Sequence, residues 1–236
     1  RNHSSAASDV YKRQSSMPEA DLYVIGNALS RGNKCVEEIL NKNLPYKSGP
    51  EMLGDIIKDR FVIAVSGTHG KTTTSFMIAK IFQSLGMDIG YLIGGISPDF
   101  SFSAKIGSDE IFVIEADEYD SAFFDKRSKF IHYSPNILLI NNIEFDHADI
   151  FNDLDEIKKQ FHHLLKIIPS SGKIVLFNHD KNALDVINKG CWADIIEING
   201  DESKASFDSS SSMIKFDGNS VTVSYTHLTL PTNGCV

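Results

Sequence analysis

The chain has 236 residues, of which 42% are hydrophobic, and a formal net charge of -8. This length and apolar content suit a packed α/β core of one domain, or of one domain and part of another. The negative charge argues against binding to nucleic acid or an anionic membrane, and no apolar run approaches the roughly 20 residues of a membrane helix. Three scattered cysteines (Cys35, Cys191 and Cys235) without metal-ligand spacing fit a reducing compartment, so we expect a cytoplasmic protein.

Hydrophobic periodicity predicts a β-α-β-α series before residue 61. Its elements are a strand at 22–25, a helix around 35–40, an extended stretch at 44–46 and a helix from Gly49 to about Arg60. The two ends, residues 1–15 and 224–236, show no periodicity. We interpret them as foreign or disordered sequence and exclude them from the fold prediction.

A second series of elements begins at Phe61. The pattern predicts strands at 61–65, 111–114, 137–140, 173–177 and 195–198, and helices at 71–85, 154–168 and 181–188. Strands that alternate with helices indicate a mostly parallel sheet with helices on both faces. After residue 200 we predict a Ser/Asp-rich loop and then a hairpin of strands at 213–216 and 221–223.

The segment SGTHGKTTT (66–74) lies between the first strand of this series and its helix, which is the architecture of a phosphate-binding loop. Gly67 and Gly70 let the backbone curl with its N–H groups inward, and the helix adds its positive end. Lys71 then reaches the phosphates from the surface of the protein, and Thr72 offers a hydroxyl to Mg²⁺. We therefore predict that the chain binds a nucleoside triphosphate.

Candidate site residues also follow two other predicted strands. Four acids occur among residues 115–120, directly after the strand at 111–114, and would repel one another without a cation. This pattern predicts that at least Glu115 ligates Mg²⁺, against the alternative of a solvated acidic loop. His147 follows the strand at 137–140; a lone histidine is more often structural, but its place at a neighbouring strand end favours a site role.

The segments GTHGKTTT, EADEYD and NNIEFDHAD, in this order and at these separations, resemble the muramyl peptide (Mur) ligases of bacterial cell-wall synthesis. Further segments are similar to the member of the family that recycles peptides: GNALSRGN (26–33), PYKSGP (45–50), IGG (93–95), EADEYDSAFFDKRSKFIHY (115–133), FDHADIF (145–151) and QFHHL (160–164). The resemblance implies a phosphate-loop ATPase domain at 61–223, preceded at 16–60 by part of a Rossmann-like domain for the UDP-sugar.

By this resemblance the cofactors are ATP and Mg²⁺, and the partners are UDP-N-acetylmuramate and the murein tripeptide. The muramate carboxylate attacks the γ-phosphate, and the tripeptide amine then attacks the resulting acyl phosphate. The resemblance also implies that Thr72 and Glu115 would hold one Mg²⁺ and His147 a second, while Lys71 would neutralise charge. The ATP phosphates would be held by Gly67, Thr68, His69, Gly70, Lys71, Thr72 and Thr73.

Some positions depart from the family pattern or remain open. Several relatives carry a carbamylated lysine about fifteen residues beyond the metal histidine, where this chain has His162 and His163, so we assign no carbamate. These histidines have a structural role or one near the substrate. The cations Lys126, Arg127 and Lys129 either bind an acidic substrate or form a solvated charged turn.

Other functions remain as alternatives. The family member that adds L-alanine shares the loop and the D-H-x-D signal, and a folylpolyglutamate synthase shares the short loop but not EADEYD. The family's first strand and glycine turn, its G-x-H-N-x-x-N segment and its carboxyl-terminal domain have no counterpart here. We therefore expect a fragment that alone catalyses no ligation, or a nucleotide-binding module without turnover.

Overall fold

The computed structural model of the protein describes residues 17–95, 97–145, 151–199, 205–208, 213–216 and 219–222. The helices are α1 (Lys34–Asn41), α2 (Gly49–Ile57), α3 (Lys71–Ser84), α4 (Leu154–Leu165) and α5 (Lys181–Asn188), with a 3-10 turn at Lys129–His132. The strands are β1 (Tyr23–Ile25), β2 (Tyr46–Ser48), β3 (Phe61–Ser66), β4 (Gly90–Leu92), β5 (Ala104–Lys105), β6 (Ile111–Glu115), β7 (Asp120–Ala122), β8 (Asp125–Ser128), β9 (Ile137–Ile140), β10 (Lys173–Phe177), β11 (Asp194–Ile198), β12 (Ala205–Asp208), β13 (Met213–Phe216) and β14 (Asn219–Thr222). None of the described helices has the length and apolarity to cross a membrane.

The first lobe has the predicted β-α-β-α order. Strands β1 and β2 pair in parallel, and α1 buries Val36 and Ile39 against Ile25. The second strand begins two residues later than predicted, because the N–H of Leu44 still bonds the Ile39 carbonyl at the end of α1. Side chains from the β7–β8 hairpin, Phe123 among them, pack against this small core and join it to the rest of the molecule.

Ten strands form one sheet in the order β14-β13-β12-β11-β10-β9-β3-β6-β4-β5. All pairs from β12 to β4 in this order are parallel, and the pairs β12–β13, β13–β14 and β4–β5 are antiparallel. The predicted α/β fold with a mostly parallel sheet is therefore confirmed. Because β3 lies between β6 and β9, the three strands whose ends carry the predicted site residues are neighbours.

Apolar side chains alternate between the two faces of the sheet. On β3, Val62 and Ala64 join the core beneath α4 and α5, while Ile63 joins the core beneath α3. From the helices, Phe161 and Ala79 are fully buried in these two cores, at 0% exposure. A parallel sheet buried on both faces needs near-continuous apolar strands, which is why the sequence predicts these strands well.

Several elements were missed or placed wrongly by the sequence prediction. The charged segment around Lys126 is a hairpin of β7 and β8 followed by the 3-10 turn, and not a simple turn. Strand β12 lies where a Ser/Asp-rich loop was predicted, and β4 and β5 were not predicted at all. These strands are two to four residues long, too short for an alternating apolar pattern, so pairing with neighbours determines them.

Candidate nucleotide-binding site

The phosphate loop joins the end of β3 to the start of α3. Gly67 and Gly70 have φ values of 130° and 80°, in the left-handed region that favours glycine. A Cβ at Gly67 would lie 2.8 Å from the carbonyl oxygen of Asn142, and one at Gly70 would lie 2.9 Å from Nδ2 of Asn141. The backbone conformation therefore requires glycine at both positions, and the close approach of the Asn142 backbone is a second reason for glycine at position 67.

The residues that follow β9 hold the loop in shape. The N–H of Thr68 donates to the Asn142 carbonyl at 2.9 Å, and the N–H of His69 donates to Asn142 Oδ1 at 2.8 Å. Nδ2 of Asn141 donates to the His69 carbonyl at 3.2 Å. Sequence reasoning assigned no role to either asparagine, although their place at a strand end beside the loop could have indicated one.

Lys71 is buried, which corrects the expectation that it lies at the surface. Its residue exposure is 8%, because Nζ folds back to donate to the carbonyls of Gly67 at 2.7 Å and Thr68 at 3.3 Å. The ammonium also lies 3.9 Å from Asp117 Oδ1 and 3.8 Å from Glu118 Oε2. The acidic segment after β6 thus faces the loop lysine.

Thr72 and Glu115 meet beside the loop. The Thr72 hydroxyl lies 2.9 Å from Glu115 Oε1 and 3.1 Å from the Gly94 carbonyl, and Glu115 Oε2 accepts from the Gly94 N–H at 2.8 Å. Burial raises the pKa of the Glu115 carboxyl and the charge of Asp117 adds to the rise, whereas the hydrogen bonds from Thr72 and Gly94 oppose it. Ionising this carboxyl is therefore costly unless a cation joins it.

The donor set at this point suits a hard cation. A hydroxyl and a carboxylate, both supplying oxygen, are the ligands that Mg²⁺ prefers. In the described part of the chain, no group of three or more His, Cys, Asp and Glu side chains is arranged to hold a metal ion. The predicted ligand His147 lies outside the described residues.

A cleft of about 370 Å³ lies between the first lobe and the part of the chain that carries the ten-stranded sheet. Gly26 and Asn27 line it on one side and Lys129 and Tyr133 on the other. Burial raises the pKa of the Tyr133 phenol, with the charge of Asp117 adding to the rise, so the phenol is neutral. The side chain of Lys129 is 23% exposed and bonds Asp117 Oδ2 at 3.3 Å, so a cation faces the cleft.

The other two predicted cations pair within their own hairpin. Arg127 makes a two-pronged contact with Asp125 at 2.9 and 2.8 Å, and Lys126 bonds Asp120 at 2.7 Å. Both cations are exposed. Of the three candidates, Lys129 alone is among the residues that line the cleft.

One of the two histidines of α4, His162, lies beside the segment after α5. The ring of His162 lies 6.5 Å from the ring of Trp192, centroid to centroid. Burial lowers the pKa of both His162 and His163, and the charge of Lys166 adds to the effect. These surroundings favour the structural role among the two alternatives. Cys35 and Cys191 are free and half-buried, and Cys235 lies outside the described residues.

Comparison with known proteins extends this description. The family model of the Mur ligase middle domain matches residues 65–232. Over 178 residues, 75% of this chain, the sequence is 54% identical to UDP-N-acetylmuramate–L-alanyl-γ-D-glutamyl-meso-2,6-diaminoheptandioate ligase of Escherichia coli K12, of which it covers 39%. A UDP-N-acetylmuramate–L-alanine ligase of Clostridium botulinum is 33% identical over 75% of the chain and is covered to 37%.

A solved structure shows the same arrangement of elements. The UDP-N-acetylmuramate:L-alanyl-γ-D-glutamyl-meso-diaminopimelate ligase of Neisseria meningitides aligns with a TM-score of 0.79 at 41% identity, over 91% of this chain and 68% of that chain. The chain spans about two fifths of the length of the curated relatives that it matches.

Proposed function

Because the chain belongs to the Mur ligase family, we propose that the protein is an ATP-dependent ligase that joins UDP-N-acetylmuramate to L-Ala-γ-D-Glu-meso-diaminopimelate in peptidoglycan recycling. The observation that supports ATP dependence is the contact between Thr72 and Glu115 beside the phosphate loop. It places two oxygen ligands for a metal ion next to Lys71 and the start of α3. The choice of substrates rests on the higher identity with the tripeptide ligase than with the L-alanine ligase.

The proposed roles follow from the contacts of each residue. The loop from Gly67 to Thr73 binds the ATP phosphates, and Lys71, already held by two loop carbonyls, supplies a positive charge against them. Thr72 and Glu115 would hold one Mg²⁺ and His147 a second. Bound there, the metal would supply positive charge between a carboxylate and a triphosphate that otherwise repel each other.

The reaction needs no side-chain nucleophile. A carboxylate oxygen of the muramate attacks the γ-phosphorus, the bond to the β-phosphate oxygen breaks, and ADP leaves. The tripeptide amine then attacks the acyl carbon, loses a proton and displaces phosphate as the amide forms. The protein contributes position and charge, which account for most of the catalysis in phosphoryl transfer.

The first lobe has a proposed role of its own. We assign residues 16–60 to part of the UDP-sugar-binding domain and residues 61–223 to the ATPase domain. In this assignment the cleft between the lobes receives the anionic sugar nucleotide, and Lys129 is the cation that faces it. Both ATP and a UDP-sugar are cytoplasmic metabolites, so we place the reaction in the cytoplasm.

Product formation by the full-length protein tests the proposal. With saturating ATP and UDP-N-acetylmuramate, we expect far faster ligation of the tripeptide than of free L-alanine. A preference for L-alanine would assign the protein to the other branch of the family. Binding of Mg-ATP without ligation of either amine would leave a nucleotide-binding module.

A further inference from the structure

Two residues at the start of α5, the N-cap Asp180 and Asn182, bond the peptide units on the two sides of Ile143. Oδ2 of Asp180 accepts a hydrogen bond of 2.8 Å from the Ile143 N–H. Nδ2 of Asn182 donates one of 2.7 Å to the Ile143 carbonyl. The other carboxylate oxygen of Asp180 accepts from the N–H groups of Asn182 and Ala183, both at 3.0 Å, and so caps α5. The start of α5 is thereby tied to the segment that follows β9.

The same segment holds the phosphate loop through the two residues that flank Ile143. On one side, Asn142 accepts from the backbone of Thr68 and His69. On the other, the N–H of Glu144 donates to the Thr68 hydroxyl at 2.9 Å, and this hydroxyl lies 3.1 Å from the Glu144 carbonyl. The side chain of Ile143 is fully buried, at 0% exposure. Its backbone therefore connects the turn after β10 with the loop after β3.

We propose that Asp180 and Asn182 are positioning residues for phosphate binding. They fix the backbone of residues 142–144, which in turn fixes the loop peptides of Thr68 and His69. The direction of backbone N–H groups in an anion site depends on such peptides, and small displacements weaken every bond to the anion. This inference rests on the proposed function, since it requires that the loop binds ATP.

The chemistry at position 180 needs a carboxylate. One of its oxygens faces the N–H groups of α5 and the other faces the N–H of Ile143. Asp180→Asn supplies a single oxygen, so the new amide group must point an N–H at another N–H on one side. Asn182→Ala removes the bond to the Ile143 carbonyl and leaves the cap of α5 in place, since that cap uses the backbone of residue 182.

Asn136 offers a matched control at the other end of β9. Its Oδ1 accepts from the N–H of Val62 at 2.8 Å. Asn136 and Asn182 are both half-buried, and each makes one hydrogen bond between its side chain and a distant backbone group. Asn136→Ala therefore also removes one hydrogen bond from an asparagine side chain to a distant backbone group, in this case as the acceptor, without touching the phosphate loop.

The experiment measures affinity for a non-hydrolysable ATP analogue with Mg²⁺ by calorimetry, and thermal stability, on the full-length protein. Asn182→Ala and Asp180→Asn should each weaken binding by about tenfold, the upper range for the net contribution of one hydrogen bond. The double variant should lose less affinity than the product of the two single losses, because both act through Ile143. Asn136→Ala should lower the midpoint of thermal unfolding as much as Asn182→Ala does, but it should bind the ATP analogue with wild-type affinity.

Two results would overturn the inference. One is wild-type affinity in Asn182→Ala, and the other is an equal loss of affinity in Asn136→Ala, which would indicate a general effect of stability. If Asp180→Asn does not fold, Asn182→Ala and its control decide the matter. Failure of the proposed function is distinguishable, because the wild-type protein would then bind no Mg-ATP analogue.

Discussion

The hydroxyl of Thr72 lies 2.9 Å from Oε1 of Glu115, although 43 positions separate the two residues. The contact exists because β3 and β6 are parallel neighbours, with Val65 paired to Glu115 in register. The first turn of α3 therefore lies over the end of β6. The carboxyl at this contact has a raised pKa, so its ionised form is stabilised by any cation that binds there.

Glu115→Gln should raise the Mg²⁺ concentration that nucleotide binding requires. The amide keeps the size of the side chain but removes the charge, so we expect about tenfold or more Mg²⁺ for half-maximal binding of an ATP analogue. The thermal midpoint without metal should stay equal or rise, since the cost of burying a charge disappears. Glu110→Gln, directly before the same strand, is the control, and unchanged Mg²⁺ dependence in Glu115→Gln would contradict the assignment.

Lys71→Ala should abolish measurable binding of Mg-ATP while the chain remains folded. The variant loses the one ammonium held at the phosphate loop by the Gly67 and Thr68 carbonyls. Calorimetry gives the affinity and circular dichroism the fold. Lys80→Ala changes an exposed lysine of the same helix, paired with Asp99 at 3.1 Å, and should behave as wild type. If Lys71→Ala still bound the nucleotide with wild-type affinity, Lys71 would not be part of the binding site.

Lys129→Ala should raise the KM of the full-length protein for UDP-N-acetylmuramate by about tenfold, the contribution of a hydrogen bond to a charged group. The KM for ATP should change little, because Lys129 lines the cleft between the lobes. Lys126→Ala serves as the control, since Lys126 is exposed and pairs with Asp120. Equal effects of the two substitutions would argue for a general effect of surface charge.

The ionised carboxyl of Asp125 should make the free energy of unfolding fall when the pH becomes acidic. Arg127 lowers the pKa of Asp125 from its ordinary 3.8 to about 2, against the effect of burial, and His132 adds to the lowering. A carboxyl with a lowered folded pKa stabilises the protein above its ordinary pKa, and this contribution is lost as the pH falls toward about 2. Because Arg127 is exposed, the contribution is about 1 kcal/mol after screening.

Urea unfolding of Asp125→Asn at several pH values measures this contribution. The variant should be less stable than wild type at neutral pH, and this difference should close as the pH falls through about 2. Asp99→Asn, which disturbs an exposed pair with Lys80, should show no such difference at any pH. A constant gap between Asp125→Asn and wild type across the pH range would disprove the linkage.

Gly54→Ala should destabilise the attachment of the first lobe. A Cβ at Gly54 would overlap the carbonyl oxygen of His132 in the 3-10 turn, and overpacking of this kind costs about 1–3 kcal/mol. Gly49→Ala on the same helix meets nothing within 4 Å and should be neutral or slightly stabilising. Thermal denaturation compares the two variants, and equal midpoints would show that α2 can move away from the turn without loss.

Sequence alone determined the long buried strands and the phosphate loop. Strands β9 and β10 have the predicted bounds, because strands buried on both faces are continuous apolar runs that end abruptly. The fold class followed from the alternation of such strands with amphipathic helices. Thr72 was named from the loop motif, and Glu115 from its place at a strand end. These features are local in sequence, so periodicity and motif spacing are sufficient to find them.

Only the tertiary structure determined the contacts between segments that are distant in sequence. Several contacts join residues that belong to different elements. Lys71 is buried against the loop carbonyls, Asn141 and Asn142 hydrogen-bond to the loop, and Asn182 hydrogen-bonds to Ile143. Short strands such as β7 form only because a partner lies beside them. Their own residues carry too little apolar pattern to specify a strand, and a hydrogen bond between distant segments leaves no periodicity in the sequence.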